Sequence, residues 1–136
     1  MKRKAFISGP IQGMENDQEY REKISKICLQ SGYEPIDPWL REKAIYRGDQ
    51  NCWWTKVPAA DFVERDLADI ERCDVLIAYL PKLSAGTCME LFYAKLKGKK
   101  VIVVSEMDCL SPWIVVHCDM ILRSIEELED ALKRSS

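Results

Sequence analysis

Val75-Leu76-Ile77-Ala78-Tyr79-Leu80 runs without a charged side chain directly after Asp74. A strand that is apolar at successive positions cannot leave one face in water, so it is expected as a central strand covered on both faces. The flanking sequence agrees, because short β-rich runs alternate with amphipathic stretches. Strands are expected at Ala5 to Ser8, Tyr33 to Ile36, Asp74 to Leu80, Lys100 to Val104 and Met120 to Leu122. Helices are expected at Asp17 to Gln30, closed by Ser31-Gly32, at residues 58 to 73, opened by Pro58, at Thr87 to Lys97, and at Ser124 to Lys133, which starts with a capping box. Alternating strands and helices imply an α/β fold: a three-layer sandwich with a five-stranded parallel sheet, Rossmann- or flavodoxin-like. At 136 residues the chain reads as one domain over residues 1–136, large enough to bury a core.

Placed on a helix at about 100° per residue, residues 58 to 73 bring Phe62, Val63, Leu67, Ile70 and Cys73 onto one stripe, with Asp66 in its middle. An ionised carboxylate in an apolar setting needs a partner or a task. Asp61, Glu64 and Glu71 fall off the stripe, in water. Asp66 is therefore expected to line a cleft, although a buried acid satisfied by Arg65, Arg72 or a backbone N–H is the commoner fate of such a group. The segment Pro81 to Glu90 can bring a second acid to the same place. From spacing alone, Thr87-Cys88-Met89-Glu90 fits a capping box in which Glu90 only returns a hydrogen bond to Thr87.

In a parallel sheet, ligands bind beyond the carboxyl ends of the strands where strand order reverses. The loops leaving the first and third strands, Ser8-Gly9-Pro10-Ile11-Gln12-Gly13 and Pro81 to Thr87, are the candidates, and both carry small residues that admit a ligand close to the backbone. The long connection from Asp37 to Val57 holds Trp39, Tyr46, Trp53 and Trp54. Two readings fit it: a loop packed on its own domain or a neighbour, and a lid that stacks on a flat ligand.

Charge and cysteine usage exclude several classes. A net charge of −2 offers no basic field for polymeric nucleic acid. No apolar run approaches the roughly 20 residues of a membrane span, and Met1-Lys2-Arg3-Lys4 leads into a strand rather than a signal peptide, so a cytoplasmic protein is expected. Cys28, Cys52, Cys73, Cys88, Cys109 and Cys118 form no CxxC pair and His117 has no ligand-spaced partner. Reduced thiols are expected rather than disulfides or zinc, with Cys88 at a helix start as the candidate reactive thiol.

Ile7-Ser8-Gly9-Pro10-Ile11, Glu64 to Asp74, Ser84 to Ala94 and Gly98-Lys99 together resemble the nucleoside 2-deoxyribosyltransferase family, which includes the 2'-deoxynucleoside 5'-monophosphate N-hydrolases. The resemblance implies a cofactor-independent enzyme that needs no metal and acts on a small-molecule nucleoside or nucleotide. It implies Glu90 as nucleophile and Asp66 as the group assisting departure of the base. Ser8, Gly9, Ile11, Ser84, Gly86 and Trp39 are expected on the substrate side. Ser84 matches a serine that contacts a 5'-phosphate in the nucleotide hydrolases, and Ser111 one that reaches the phosphate from a neighbouring subunit. Pro10 and Gln12 stand where those hydrolases have Ser and Arg, and Phe6 where members often have Tyr. A homodimer or higher homo-oligomer with shared sites is thus expected, with Trp113 and Ile114 exposed. Cleavage of a nucleoside 5'-monophosphate by water is the leading expectation, and base exchange between nucleosides or non-catalytic nucleotide sensing are the alternatives.

Overall fold

The computed structural model describes residues 2–43 and 59–134. Tyr46, Cys52, Trp53, Trp54 and Pro58 lie outside them. The strands are β1 (Arg3–Ser8), β2 (Tyr33–Ile36), β3 (Val75–Tyr79), β4 (Lys100–Val104) and β5 (Met120–Leu122). The helices are α1 (Glu19–Gln30), α2 (Trp39–Glu42), α3 (Ala59–Arg72), α4 (Ala85–Leu96), α5 (Pro112–Val116) and α6 (Leu128–Arg134). All pairings are parallel in the order β2-β1-β3-β4-β5, the flavodoxin-like arrangement.

The two-residue period of a strand sorts the core into two layers. Ile7, Val75, Ile77, Ile102 and Val104 pack with Ile24 and Cys28 of α1 and Leu128 and Leu132 of α6. Phe6, Leu76, Ala78, Val101 and Val103 pack with Ile70 of α3, Leu91 and Ala94 of α4 and Ile114 of α5. Fully burying such an aliphatic side chain stabilises by about 1.5–3 kcal/mol, which explains why β3, covered on both faces, tolerates no charge. Ser8 shares the parity of Phe6 and so turns toward the α3 and α4 layer.

Two short elements were not expected from the sequence. α2 occupies the start of the long connection, where Asp37 Oδ1 accepts the Trp39 N–H at 3.0 Å. α5 opens on Ser111, whose Oγ accepts the Trp113 N–H at 3.2 Å. This helix corrects the expectation for Ile114, which is buried in the core layer. Val63, expected on the buried stripe of α3, is exposed, while Asp69 is buried.

Arg21 is a guanidinium inside the fold, 2% exposed. It donates to the Ile7 carbonyl at 3.2 Å, the Gly9 carbonyl at 3.0 Å, Gln18 Oε1 at 2.6 Å and Asp37 Oδ1 at 2.9 Å. One side chain thereby ties the end of β1 to its following loop and to the entry of α2. Among the described residues the cysteines are free, and burial pushes the Cys28 and Cys73 thiols up to about 12 and about 11.

Arg21→Met should destabilise the protein by about 3–5 kcal/mol in urea unfolding, because Asp37 would stay buried without its cation. Adding Asp37→Leu should recover only part of the loss, since the Ile7 and Gly9 carbonyls remain without their donor.

Candidate active site

β1 and β3 are neighbours whose onward connections diverge, one leading outward to β2 and the other onward to β4. The crevice beyond Ser8 and Leu80 is therefore the switch point of the sheet. Ser8, 1% exposed, donates from Oγ to Glu90 Oε1 at 2.6 Å. Glu90 reaches this point because α4 begins at Ala85. Ser84 is its N-cap, with extended backbone and an Oγ that accepts the Thr87 N–H at 3.4 Å. Thr87 is thus inside the first turn and is not the cap, so the capping-box reading of Glu90 is overturned. Gly86 likewise sits in this turn rather than in a loop, and a Cβ there would meet nothing within 4 Å.

Asp66 faces the same layer from the middle of α3 and is 8% exposed. Its cation is Arg41, at 3.0 Å from Oδ1, and neither Arg65 nor Arg72. The Arg41 guanidinium also meets Asp69 Oδ2 at 2.7 Å, and Arg72 pairs with the other Asp69 oxygen. Sequence reasoning missed Arg41, Asp69 and Glu42. Glu42 ends α2, is 3% exposed, and interacts with Asp66. Burial, then contact with Asp66, then the charge of Glu90 push the Glu42 carboxyl up to about 9. Asp66 is also raised by burial, against the hydrogen bonds from Glu42 and Arg41. Desolvation in the cleft and the Asp66 charge push Glu90 up to about 7, opposed by the Ser8 hydrogen bond. Three carboxyl groups from three helices, each raised by burial, therefore interact at the switch point, and perturbed acids of this kind cluster at functional sites.

The remaining expected residues divide by what holds them. Gly9 has a packing cause, because a Cβ on it would stand 2.3 Å from the Tyr20 hydroxyl oxygen. The backbone approach there is made by a phenol of this chain. Pro10 is buried and its carbonyl accepts from Gln18 Nε2 at 2.9 Å and from the Tyr20 hydroxyl at 3.2 Å. Ile11 is half-buried and its carbonyl accepts the Met14 N–H at 2.9 Å, closing a turn whose third residue is the positive-φ Gly13. Lys82, also missed from the sequence, places Nζ 3.1 Å from where a Cβ on Gly13 would stand, so an ammonium spans the two loops. Trp39 is half-buried at the start of α2. Ser111 is not brought to Ser8, Asp66 or Glu90 by any hydrogen bond among the described residues. Phe6 is fully buried in the core layer below the cleft. A separate groove of about 370 Å³ opens near β4 and β5 between Lys23, Ser105, Glu106 and Arg123, and it includes none of the three acids.

A parallel α/β domain that gathers acids at its switch point has the design of an enzyme for a small molecule. The sequence supplies the particular class: residues 5–123 match the model of the nucleoside 2-deoxyribosyltransferase family, and the chain belongs to that family of enzymes, which act on nucleosides or nucleotides. The structure is similar to a 2-deoxyribosyltransferase from Bacillus psychrosaccharolyticus (TM-score 0.72, 17% identity, covering 93% of this chain and 90% of that one). It is similar to a CMP N-glycosidase from Clostridium botulinum (TM-score 0.59, 20% identity, 97% and 99% covered). A CheY-like response regulator receiver domain from Methanospirillum hungatei is comparably similar (TM-score 0.60, 16% identity, 99% and 93% covered), so the backbone alone does not separate these functions. No curated protein sequence matches the chain. Among the described residues, no helix is long and apolar enough to cross a membrane.

The raised Glu90 carboxyl has a signed effect on stability. Below its ordinary value of 4.5 the group is protonated whether folded or unfolded, between 4.5 and about 7 only the folded chain holds the proton, and above about 7 the cost of burying the charge is complete. Stability contributed by the neutral group is thus lost as pH rises through this window. Glu90→Gln, which keeps an acceptor for Ser8, should raise Tm relative to wild type at pH 8 and lose that advantage at pH 4, measured by calorimetry across the range.

Proposed function

We propose that this protein is an N-glycosidase that cleaves the base–sugar bond of a nucleoside 5'-monophosphate through a covalent glycosyl ester on Glu90, with water as acceptor. The observation that carries this reading is the 2.6 Å hydrogen bond from Ser8 to Glu90 at the switch point, with Asp66 in the same acid cluster. Cleavage of an N-glycosidic bond passes through an oxocarbenium-like state, which a carboxylate on one face of the sugar traps at C1'. Ser8 orients one Glu90 oxygen, leaving the other for attack. Asp66 serves the departing base, whose nitrogen takes up the electron pair of the broken bond and a proton. Water then attacks C1' and Glu90 leaves as a carboxylate.

A nucleotide is preferred over a nucleoside because the cleft rim offers groups suited to a phosphate. The Ser84 hydroxyl can donate where an aspartate would repel, and Lys82 supplies a cation where Gln12 does not. Gly9, Ile11, Gly86 and Trp39 line the sugar and base side. Ser111 joins this site from a second copy of the chain. In support, α5 exposes Trp113 and Val116, and α4 exposes Met89, Phe92 and Leu96, with the Phe92 and Trp113 rings both against His117. Such an apolar surface is what a homo-oligomer covers. Transfer to a second base is the alternative outcome of the same ester.

Incubation with a panel of nucleosides and 5'-monophosphates should release free base from the monophosphates, with no exchange product when a second base is added. Exchange would move the assignment to transfer. Glu90→Gln should abolish release while remaining folded, and wild-type activity should fall as pH drops below about 7, where Glu90 takes a proton. Asp66→Asn should slow poor leaving groups more than good ones. Retained activity in Glu90→Gln would remove the nucleophile.

Ser84→Ala, Ser111→Ala and Lys82→Ala should each raise KM for the monophosphate about ten-fold or more, as expected for a hydrogen bond to a charged group, and leave the nucleoside little changed. Mixing Glu90→Gln and Ser111→Ala chains should restore some complete sites. A monomer in sedimentation would contradict the shared site.

A further inference from the structure

Five buried or half-buried acids, Asp37, Glu42, Asp66, Asp69 and Glu90, come together around three guanidinium groups. Arg21 is taken by Asp37, Arg41 by Asp66 and Asp69, and Arg72 by Asp69. Among the described residues Glu42 has no cation within ion-pair distance. Its surroundings are Asp66 from α3, Glu90 from α4 and the Arg21 charge from α1. Glu42 interacts with Asp66, and two neighbouring carboxyl groups buried in one site do not both ionise. Asp66 already accepts from Arg41 at 3.0 Å, which favours its charged form, whereas Glu42 sits at 3% exposure with two acids for neighbours. The proton belongs on Glu42.

We propose that Glu42 stores the proton that the departing base acquires and delivers it through Asp66. This rests on the N-glycosidase reading and gives that chemistry its missing proton source. The charges balance at each step. At the start Glu90 is ionised and the Glu42–Asp66 pair holds one proton and one negative charge. As the C1'–N bond breaks, Glu90 bonds C1', the electron pair remains on the base nitrogen, Asp66 protonates that nitrogen and Glu42 reprotonates Asp66. Glu90 is then a neutral ester, so the acid that opposed ionisation of Glu42 has lost its charge at the moment Glu42 ionises. In hydrolysis, water attacks C1', its proton returns through Asp66 to Glu42, and the Glu90 carboxylate departs. Glu42 touches Asp66 and not the substrate, so it is a positioning and proton-holding residue.

The test is Glu42→Gln, which keeps a donor to Asp66 but cannot release a proton. Base release from GMP and its 2'-deoxy counterpart is compared with release from the N7-methylated forms, whose base already carries a positive charge and needs no proton to depart. The expected result is a loss of about ten- to a hundred-fold on the ordinary pair and a change of about two-fold or less on the methylated pair. The ligand-free wild type at pH 7 should also show the infrared carbonyl band of a neutral carboxylic acid, shifted by ¹³C-glutamate labelling and absent from Glu42→Gln. Equal losses on both pairs, or a band unchanged in the variant, would overturn the proposal. If the variant does not fold, ¹³C titration of Glu42 in the wild type decides, and a carboxyl already ionised at pH 7 overturns it. A wild type that releases no base from either pair overturns the N-glycosidase reading and this role together, whereas an active wild type without the selective loss overturns the role alone.

Discussion

The buried pair of Arg21 and Asp37 is the interaction on which the site depends. Removing two ions from water is costly, and the cost is offset only when each remaining donor and acceptor is used. Here the guanidinium serves two carbonyls at the top of β1 and a side-chain amide as well as Asp37. Asp37 in turn receives the Trp39 N–H that opens α2. The position of Arg41 and Glu42 beside Asp66 follows from this chain of contacts, because α2 has only four residues and no intrinsic stability of its own.

The layered fold was legible because strand and helix periods are regular. The apolar β3 run, the alternation before and after it and the Ser124 capping box are all local signals, and each is present in the structure. Element ends were less legible: Ser84-Ala85-Gly86-Thr87 and Thr87-Cys88-Met89-Glu90 both offer a hydroxyl three residues ahead of a helix position. Packing decides between them, since starting at Ala85 lets Thr87, Leu91 and Ala94 share the buried face. The same three-residue difference brings Glu90 to Ser8.

The cation beside Asp66 was not legible because it comes from a four-residue helix some 25 positions earlier in the chain, too short to show periodicity. Glu42 next to it carries no signal either, since an acid following an arginine on the surface looks the same in sequence. Gly9 has a cause that the sequence does not show. A glycine required by a bound ligand and one required by a tyrosine ring of the same chain are identical as letters, and the Tyr20 contact supplies the second requirement here.

The parity of β1 joins the core to the chemistry. Phe6 and Ser8 lie on one face, Ala5 and Ile7 on the other, and Ser8 is paired opposite Ala78 at the last rung. Deleting or inserting a single residue within β1 would exchange the faces, placing a hydroxyl among the α1 and α6 side chains and an aliphatic group against Glu90. The length of this strand is therefore fixed by the two faces it has to serve at once, the core on one side and the cleft on the other.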